Sequence, residues 1–204
     1  MSLRVYGIMT QDGETRPKLP DRVKLVVMRE LCALVEEGDF SANDLHPGDT
    51  PRHLEIISSL FKDEAVLPLP VGTVFRNEEV LNRWMDLHYV ALSDALAWVE
   101  DRFAARVHIN RASGKQADRD TGSDLAAVAA EVTRGLRRHS VSTVPLHNEQ
   151  VTGIMLSAAY LVERQLWQEF TNAVDDEREK HPQLKIELTG PWPPYDFVRL
   201  QLGN

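Results

Sequence analysis

The sequence has a single cysteine and no long apolar run, and each absence excludes a class of protein. With only Cys32 available, an intramolecular disulfide is impossible, which fits a reducing compartment. Cys32 lies in an apolar run, which indicates a buried thiol rather than a nucleophile. No stretch approaches the roughly 20 apolar residues that span a bilayer, and the first residues resemble a strand more than a signal segment. We therefore expect a cytoplasmic protein with no lipid-membrane partner.

Motifs for catalysis and for cofactor binding are also missing. The seven histidines lack zinc-site spacing, and neither Cys-x-x-Cys nor His-Glu-x-x-His occurs. The chain contains no Gly-x-Ser-x-Gly elbow, no P-loop and no Gly-x-Gly-x-x-Gly turn. Ser140 follows His139, but adjacent strand residues point to opposite faces of a sheet. We expect a protein that is not an enzyme, with no catalytic residue, no metal and no cofactor.

An excess of positive charge is absent as well. The formal net charge is -8, which argues against nucleic acid as a partner, because binding to phosphates requires a basic field. The middle of the chain is locally basic and is either a solvated face or a patch for an acidic partner. Its basic residues are Arg102, Arg106, Arg111, Lys115, Arg119, Arg134, Arg137 and Arg138.

What the sequence does contain is enough apolar material for a core and a clear order of elements in its second half. The apolar share is 43% and the charged share 26%, both ordinary for a globular protein. From Arg106 the pattern predicts strand, helix, strand, strand, helix, strand, which is the split βαβ order of the ferredoxin-like fold. The nearly all-apolar segment 154–162 predicts a central strand buried on both faces. Residues 114–122 predict a linker or long loop.

The first half reads as a modified version of the same arrangement. It contains a strand at 5–9, a hairpin at 23–35, a helix beginning near Pro51, a β segment at 65–75 and one long helix at 77–100. Pro68 and Pro70 favour an edge or bulged strand. We predict an α+β protein of two lobes, at 1–105 and 106–204, each with an antiparallel sheet and helices on one face. The second lobe would carry a proline-rich tail.

Two segments are unusual enough to suggest a family. One is Leu67–Phe75, with the pattern Leu-Pro-x-x-x-Gly-Thr-Val-Phe, and the other is Leu188–Val198, Leu-Thr-Gly-Pro-Trp-Pro-Pro-Tyr-Asp-Phe-Val. Together with Val5–Ile8 and Ala158–Val162, these collinear segments resemble the gas vesicle protein GvpL/GvpF family. At one point the chain departs from that pattern, because Pro70 and Val71 stand where the family typically has Arg-Phe.

The resemblance implies a non-catalytic accessory protein for the assembly of gas vesicles, located in the cytoplasm and at the gas vesicle. Its implied partners are the hydrophobic major shell protein and other gas vesicle accessory proteins. The candidate partner-binding residues are those of the two unusual segments: Trp192, Pro193, Pro194, Tyr195, Phe197, Gly72, Thr73 and Phe75.

Three alternatives remain open from the residues themselves. Trp192 either forms a contact surface or packs where the lobes meet. The prolines Pro68 and Pro70 either protect a sheet edge or bend the chain over a helix. As a whole, the chain could instead be a small-ligand-binding or self-associating ferredoxin-like protein with another partner.

Overall fold

The computed structural model describes residues 1–11, 18–41, 45–112, 122–146 and 154–198. Contacts divide the chain into two compact units, one of Met1–Glu100 together with the chain from Pro193 onward, and one of Asp101–Trp192. Most of the predicted linker, 114–121, lies outside the described residues. None of the helices within the described ranges is both long and apolar enough to cross a membrane.

The first unit is built on an antiparallel sheet. Its elements are β1 (Ser2–Thr10), β2 (Lys24–Met28), β3 (Leu31–Gly38), α1 (Asp49–Leu60), β4 (Val66–Pro68), β5 (Val74–Phe75), α2 (Glu78–Leu87) and α3 (Tyr89–Val99). The strand order is β2-β3-β1-β4, and β5 also pairs with β1. The predicted hairpin is confirmed, and its turn places Arg29 at φ 56°. The proline-containing β4 lies at the sheet edge, as the prolines predict.

Helices cover both faces of this first sheet, which differs from the predicted single face. Leu3, Val5 and Ile8 of β1 belong to a core that also contains side chains of α2 and α3. Residues between them on β1 face α1 instead, since Tyr6 lies beside His53 and Arg4 binds Asp49. The side chains of β1 alternate between the two faces, so Arg4 and Tyr6 lie on the face opposite to that of Leu3 and Val5.

The segment 77–100 forms two helices rather than the one that was predicted. Asn77 caps α2 by accepting a hydrogen bond from the backbone N–H of Val80, and the helix ends at Leu87. The Nδ1 of His88 lies 2.8 Å from the carbonyl oxygen of Trp84, the acceptor that the backbone N–H of His88 also uses. The ring and the backbone of His88 therefore share one acceptor at the point where α2 ends. The predicted apolar stripe is nevertheless confirmed as core, with Leu81, Leu92 and Val99 buried.

The second unit has the ferredoxin-like order predicted for it. Its elements are β6 (Arg102–Arg111), α4 (Gly122–Leu136), β7 (Ser142–Pro145), β8 (Ile154–Glu163), α5 (Trp167–Lys180) and β9 (Leu184–Trp192). The antiparallel strands are ordered β7-β8-β6-β9. Side chains of α4 and α5 share one core with β6, β8 and β9. Tyr160 and its neighbour Leu161 are both fully buried, so β8 is covered on both faces as predicted.

The last strand runs further than the sequence suggested. Although Gly190 and Pro191 interrupt it, β9 continues to Trp192, which pairs with Ala104. A register shift between Ala104 and Arg106 accommodates the extra residues as a bulge. The second unit therefore begins at Asp101 rather than at residue 106, and residues 193–198 belong to the first unit rather than forming a tail on the second.

Phe170 is the side chain of α5 most enclosed by aromatic neighbours, with ring centroids 5.2 Å from Tyr160 and 6.4 Å from Trp167. We expect Phe170→Ala to lower the free energy of unfolding by about 3–5 kcal/mol, because the cavity cannot close in a packed core. Urea unfolding followed by circular dichroism measures the change. The control, Leu166→Ala, alters a partly exposed residue of the same segment, and an equally small loss in both variants would contradict this account of the core.

Candidate functional site

The first of the two family-like segments, Leu67–Phe75, pairs with β1 in two separate short stretches, β4 and β5. Gly7 pairs with Pro68, the backbone N–H of Leu69 donates to the carbonyl of Tyr6, and the N–H of Val5 donates to the carbonyl of Thr73. Between these bonds the chain makes a tight turn from Pro70 to Thr73. Thr73 closes the turn by donating two hydrogen bonds to the carbonyl oxygen of Pro70, one from its backbone N–H at 3.1 Å and one from its hydroxyl at 2.7 Å.

Gly72 and Phe75 have structural roles in this segment. Gly72 has φ +84°, a backbone conformation that favours glycine, and it lies beside the exposed side chain of Leu45. The ring of Phe75 packs 5.3 Å from that of Trp84 against the first core. The replacement of the family's Arg-Phe by Pro70-Val71 falls at the start of the turn.

The second family-like segment, Leu188–Val198, is divided between the two units, with the division after Trp192. Gly190, at φ +128°, brings its backbone so near β6 that a Cβ would lie 2.9 Å from the Ala104 carbonyl oxygen. Trp192 ends β9 and is 44% exposed, with its indole N–H donating to Thr189 at 3.1 Å. Pro193 and Pro194 are buried, and Tyr195–Phe197 form a short 3₁₀ turn that is partly buried.

The structure therefore gives the eight predicted residues different surroundings. Trp192 belongs to the second unit, whereas Pro193, Pro194, Tyr195, Phe197, Gly72, Thr73 and Phe75 belong to the first. Of all eight, Trp192 has the most accessible side chain, and the two prolines after it are enclosed. Some residues of the two segments therefore serve the backbone conformation and packing, whereas others, above all Trp192, are accessible for contact.

Beneath α1 lies a group of charged side chains that the sequence did not predict. The guanidinium of Arg4 binds both carboxylate oxygens of Asp49, at 2.5 and 3.1 Å, and stacks 4.2 Å from the ring centroid of Phe40. Arg4 is buried, so this bidentate pair compensates for its lost hydration. Although burial opposes ionisation of Asp49, the His46 N–H and Arg4 outweigh it and lower the pKa of that carboxyl.

Glu36 on β3 organises a second part of this group. Its carboxylate accepts hydrogen bonds from the Tyr6 hydroxyl at 2.7 Å and from Nε of Arg52 at 3.1 Å, and it lies 3.3 Å from Nε of Arg22. Burial, followed by the neighbouring Glu36, raises the pKa of Tyr6 to about 12. The phenol therefore remains a hydrogen-bond donor, and the Glu36 carboxylate lies against two arginines.

His53 completes the group, facing the rings of Tyr6 and Tyr195 at centroid distances of 5.4 and 6.2 Å. It is 1% exposed. Burial and then the charge of Arg4 lower the pKa of His53 to about 4, against the opposing effect of the Leu69 backbone. Burial raises the pKa of Tyr195. Within the described residues, the Nε of Arg4, the Nε2 of His53 and the Tyr195 hydroxyl have no hydrogen-bond partner.

We call this set the α1 polar cluster: Arg4, Tyr6, Glu36, Asp49, Arg52, His53 and Tyr195. A sequence signal for it exists, because Asp49, Arg52 and His53 share one face of a helix by their spacing. Its groups neutralise one another in the interior, and it presents neither an activated nucleophile nor a hydrated carboxylate pair. Among the described residues, no group of three histidine, cysteine or acidic side chains could hold a metal ion. The arrangement is suited to fixing α1 on the sheet rather than to chemistry.

Comparison with known proteins gives consistent results across the chain. The family model described as "Gas vesicle synthesis protein GvpL/GvpF" matches residues 3–111 and 104–199. Gas vesicle protein F2 of Halobacterium salinarum is 28% identical over 211 residues, covering 98% of this chain and 94% of that relative. Gas vesicle protein F of Haloferax mediterranei is 27% identical over 214 residues, with 99% and 95% covered.

Solved structures share the fold. The crystal structure of the gas vesicle protein GvpF from Anabaena sp. PCC7120 aligns with a TM-score of 0.81 at 16% identity, covering 100% of this chain and 98% of that one. The GvpF structure from Microcystis aeruginosa aligns with a TM-score of 0.75 at 14% identity, covering 98% and 99%.

The fold and its internal polar cluster define a class, that of α+β proteins with two sheet-based units, the second of them ferredoxin-like. The family match then specifies the protein further. The chain belongs to the GvpL/GvpF family of gas vesicle synthesis proteins, which confirms the resemblance seen in its sequence.

Protonation of His53 provides a test of the α1 polar cluster. Because its folded-state pKa of about 4 lies below the unfolded value near 6.5, the unfolded chain binds the extra proton first. Stability should be unaffected above pH 7 and should fall by roughly 3 kcal/mol as pH drops from 6.5 to 4. Urea unfolding across this range should show the loss in the wild type and a smaller one in His53→Phe.

The control variant is His139→Phe, which removes a partly exposed histidine of the second unit and should keep the wild-type pH dependence. If His53→Phe retained the full loss of stability between pH 6.5 and 4, the buried, neutral state assigned to His53 would be wrong.

Proposed function

We propose that this chain is a non-catalytic accessory protein that binds the hydrophobic major shell protein of the gas vesicle and supports vesicle formation. It would act in the cytoplasm and at the vesicle, where other gas vesicle accessory proteins are further partners. The observation that carries the proposal is the match to a gas vesicle synthesis family over both units, 3–111 and 104–199. Exposed large apolar side chains within both units support it, because such surface is a means of holding an apolar partner.

Among the predicted contact residues, Trp192 is the best placed for this role. Its indole is the exposed end of β9, and tryptophan is the residue type most enriched at the energetic centres of interfaces. Phe197, Tyr195, Thr73 and Phe75 are partly buried and would contribute at the margin. Deleting the whole segment 190–195 would remove a strand end and two buried prolines, so a point substitution tests binding more cleanly.

The first experiment is co-expression of the tagged full-length chain with the major shell protein, followed by purification. Shell protein retained in a soluble complex at a constant ratio supports the proposal. Absence of shell protein from the purified wild-type chain, with both proteins expressed, contradicts it. The mass of the chain alone in solution then decides whether self-association, the alternative left open by the sequence, occurs instead.

We expect Trp192→Ala to reduce the retained shell protein by about 10-fold or more, since truncation of a central interface tryptophan typically costs 2 kcal/mol or more. The matched control is Leu54→Ala, which truncates a side chain of nearly equal exposure, 45%, on α1. Retention should be unchanged in the control. Equal retention by both variants would remove Trp192 from the binding surface.

A further inference from the structure

The helix α3 is apolar on the side that faces solvent as well as on the side that faces the core. Its inner face is formed by Leu92, Leu96 and Val99, which are buried. At 100° per residue the opposite face is formed by Val90, Ala91, Asp94, Ala97 and Trp98, all of them exposed. An ordinary surface helix carries charged and polar residues there. We call these five residues, together with Leu87 at the end of α2, the outer α3 face.

The most exposed members of this face lie beside a recess. Leu87 is 80% exposed and Val90 is 69% exposed, although both are large and apolar. They line an open surface recess of about 550 Å³ with Arg29, His88, Tyr89 and the two carboxylates Asp86 and Asp94. Ala91 lines the same recess, and Ala97 and Trp98 continue the exposed apolar surface toward the end of α3.

The charges around the outer α3 face leave a carboxylate without a partner in the described structure. Arg29 pairs with Asp86 at 2.6 Å, and Arg83 pairs with Glu79 at 3.2 Å. The carboxylate of Glu30 accepts a hydrogen bond from the Tyr89 hydroxyl. Among the residues that the structure describes, none forms an ion pair or hydrogen bond with the side chain of Asp94, which lies in the middle of the apolar face.

Asp94 determines what can cover this face. A partner that buries it must supply a cation or a hydrogen-bond donor, since a buried unpaired carboxylate is strongly unfavourable. A second copy related by a two-fold axis through this face would place Asp94 near Asp94, and the chain as a whole carries a net charge of -8. Charge complementarity therefore favours a different protein, whose apolar segment carries lysine or arginine.

We infer that the outer α3 face is the docking surface for an apolar, helical segment of the shell protein that carries a basic side chain to pair with Asp94. This inference rests on the proposed function. A helix suits the surface because the exposed residues follow helical spacing, and the small side chains of Ala91 and Ala97 permit close approach of a second helix.

The test uses the same co-purification of the full-length chain with the major shell protein. Leu87→Ser combined with Val90→Ser should reduce retention at least about 10-fold, the effect expected for losing interface anchors. Val27→Ser combined with Leu54→Ser removes two exposed apolar side chains from β2 and α1 of the same unit and should leave retention unchanged. Because all four positions are exposed, circular dichroism should show folded protein in both double variants.

Asp94 is tested by charge and by salt. Asp94→Lys should abolish retention at low salt and recover part of it when salt rises from roughly 50 to 500 mM, because screening weakens the new repulsion. The wild type should show the opposite trend, and Asp94→Asn should bind more weakly than the wild type with little dependence on salt. Equal retention by wild type and Asp94→Lys at low salt would overturn the inferred pairing.

A photo-crosslinking amino acid at Ala91 identifies the occupant directly. An adduct with the shell protein supports the inference, whereas an adduct between two copies of the chain, or none with shell protein that co-purifies, overturns it. If the Leu87/Val90 double variant retains shell protein as the wild type does, the docking surface is wrong and the proposed function stands. If the wild-type chain retains none, the proposed function itself fails, and this inference fails with it.

Discussion

The first unit is organised around its central strand, β1, whose two faces must each be packed against helices. This strand pairs with β3 on one side and with β4 and β5 on the other, so its backbone is fully engaged. Its apolar side chains enter the core with α2 and α3, and Arg4 and Tyr6 point under α1. A buried guanidinium without a counter-charge is costly, so Asp49 has to be present, and with it the start of α1. The Arg4–Asp49 pair thus joins the start of α1 to β1, and Ile56, Ile57 and Leu60 of the same helix are buried as well.

The elements that the sequence predicted well are those whose side-chain period is unambiguous. The order of strands and helices from Arg106 to the start of β9, the doubly buried β8 and the stripe on α2 and α3 follow from apolar spacing. The break at His88 was missed because the apolar stripe runs through it without interruption. The extension of β9 was missed because Gly190 and Pro191 read as the end of a strand, whereas a bulge lets the pairing resume at Trp192.

The candidate site was predictable only in part. The residues of the family segments could be named from the sequence, but not which of them are accessible. Gly72 is favoured by its positive φ, and Pro193 and Pro194 are buried. The α1 polar cluster escaped because it joins β1, β3, α1 and the segment after β9, which are distant along the chain. The charge and polarity of each residue taken singly do not reveal such a group. The structure reveals it by showing which charged side chains form pairs.

The return of residues 193–198 to the first unit has a consequence for the order of events during synthesis. The second unit, Asp101–Trp192, is continuous in the chain and contains all the strands of its own sheet. The first unit is not continuous, because two later residues belong to it: Tyr195 lies beside His53, and Val198 packs against the first core. A ribosome that has translated residue 100 has therefore not yet supplied everything the first unit requires. The first unit is therefore completed after the second, and until residue 195 has been added His53 lacks one of its two aromatic neighbours.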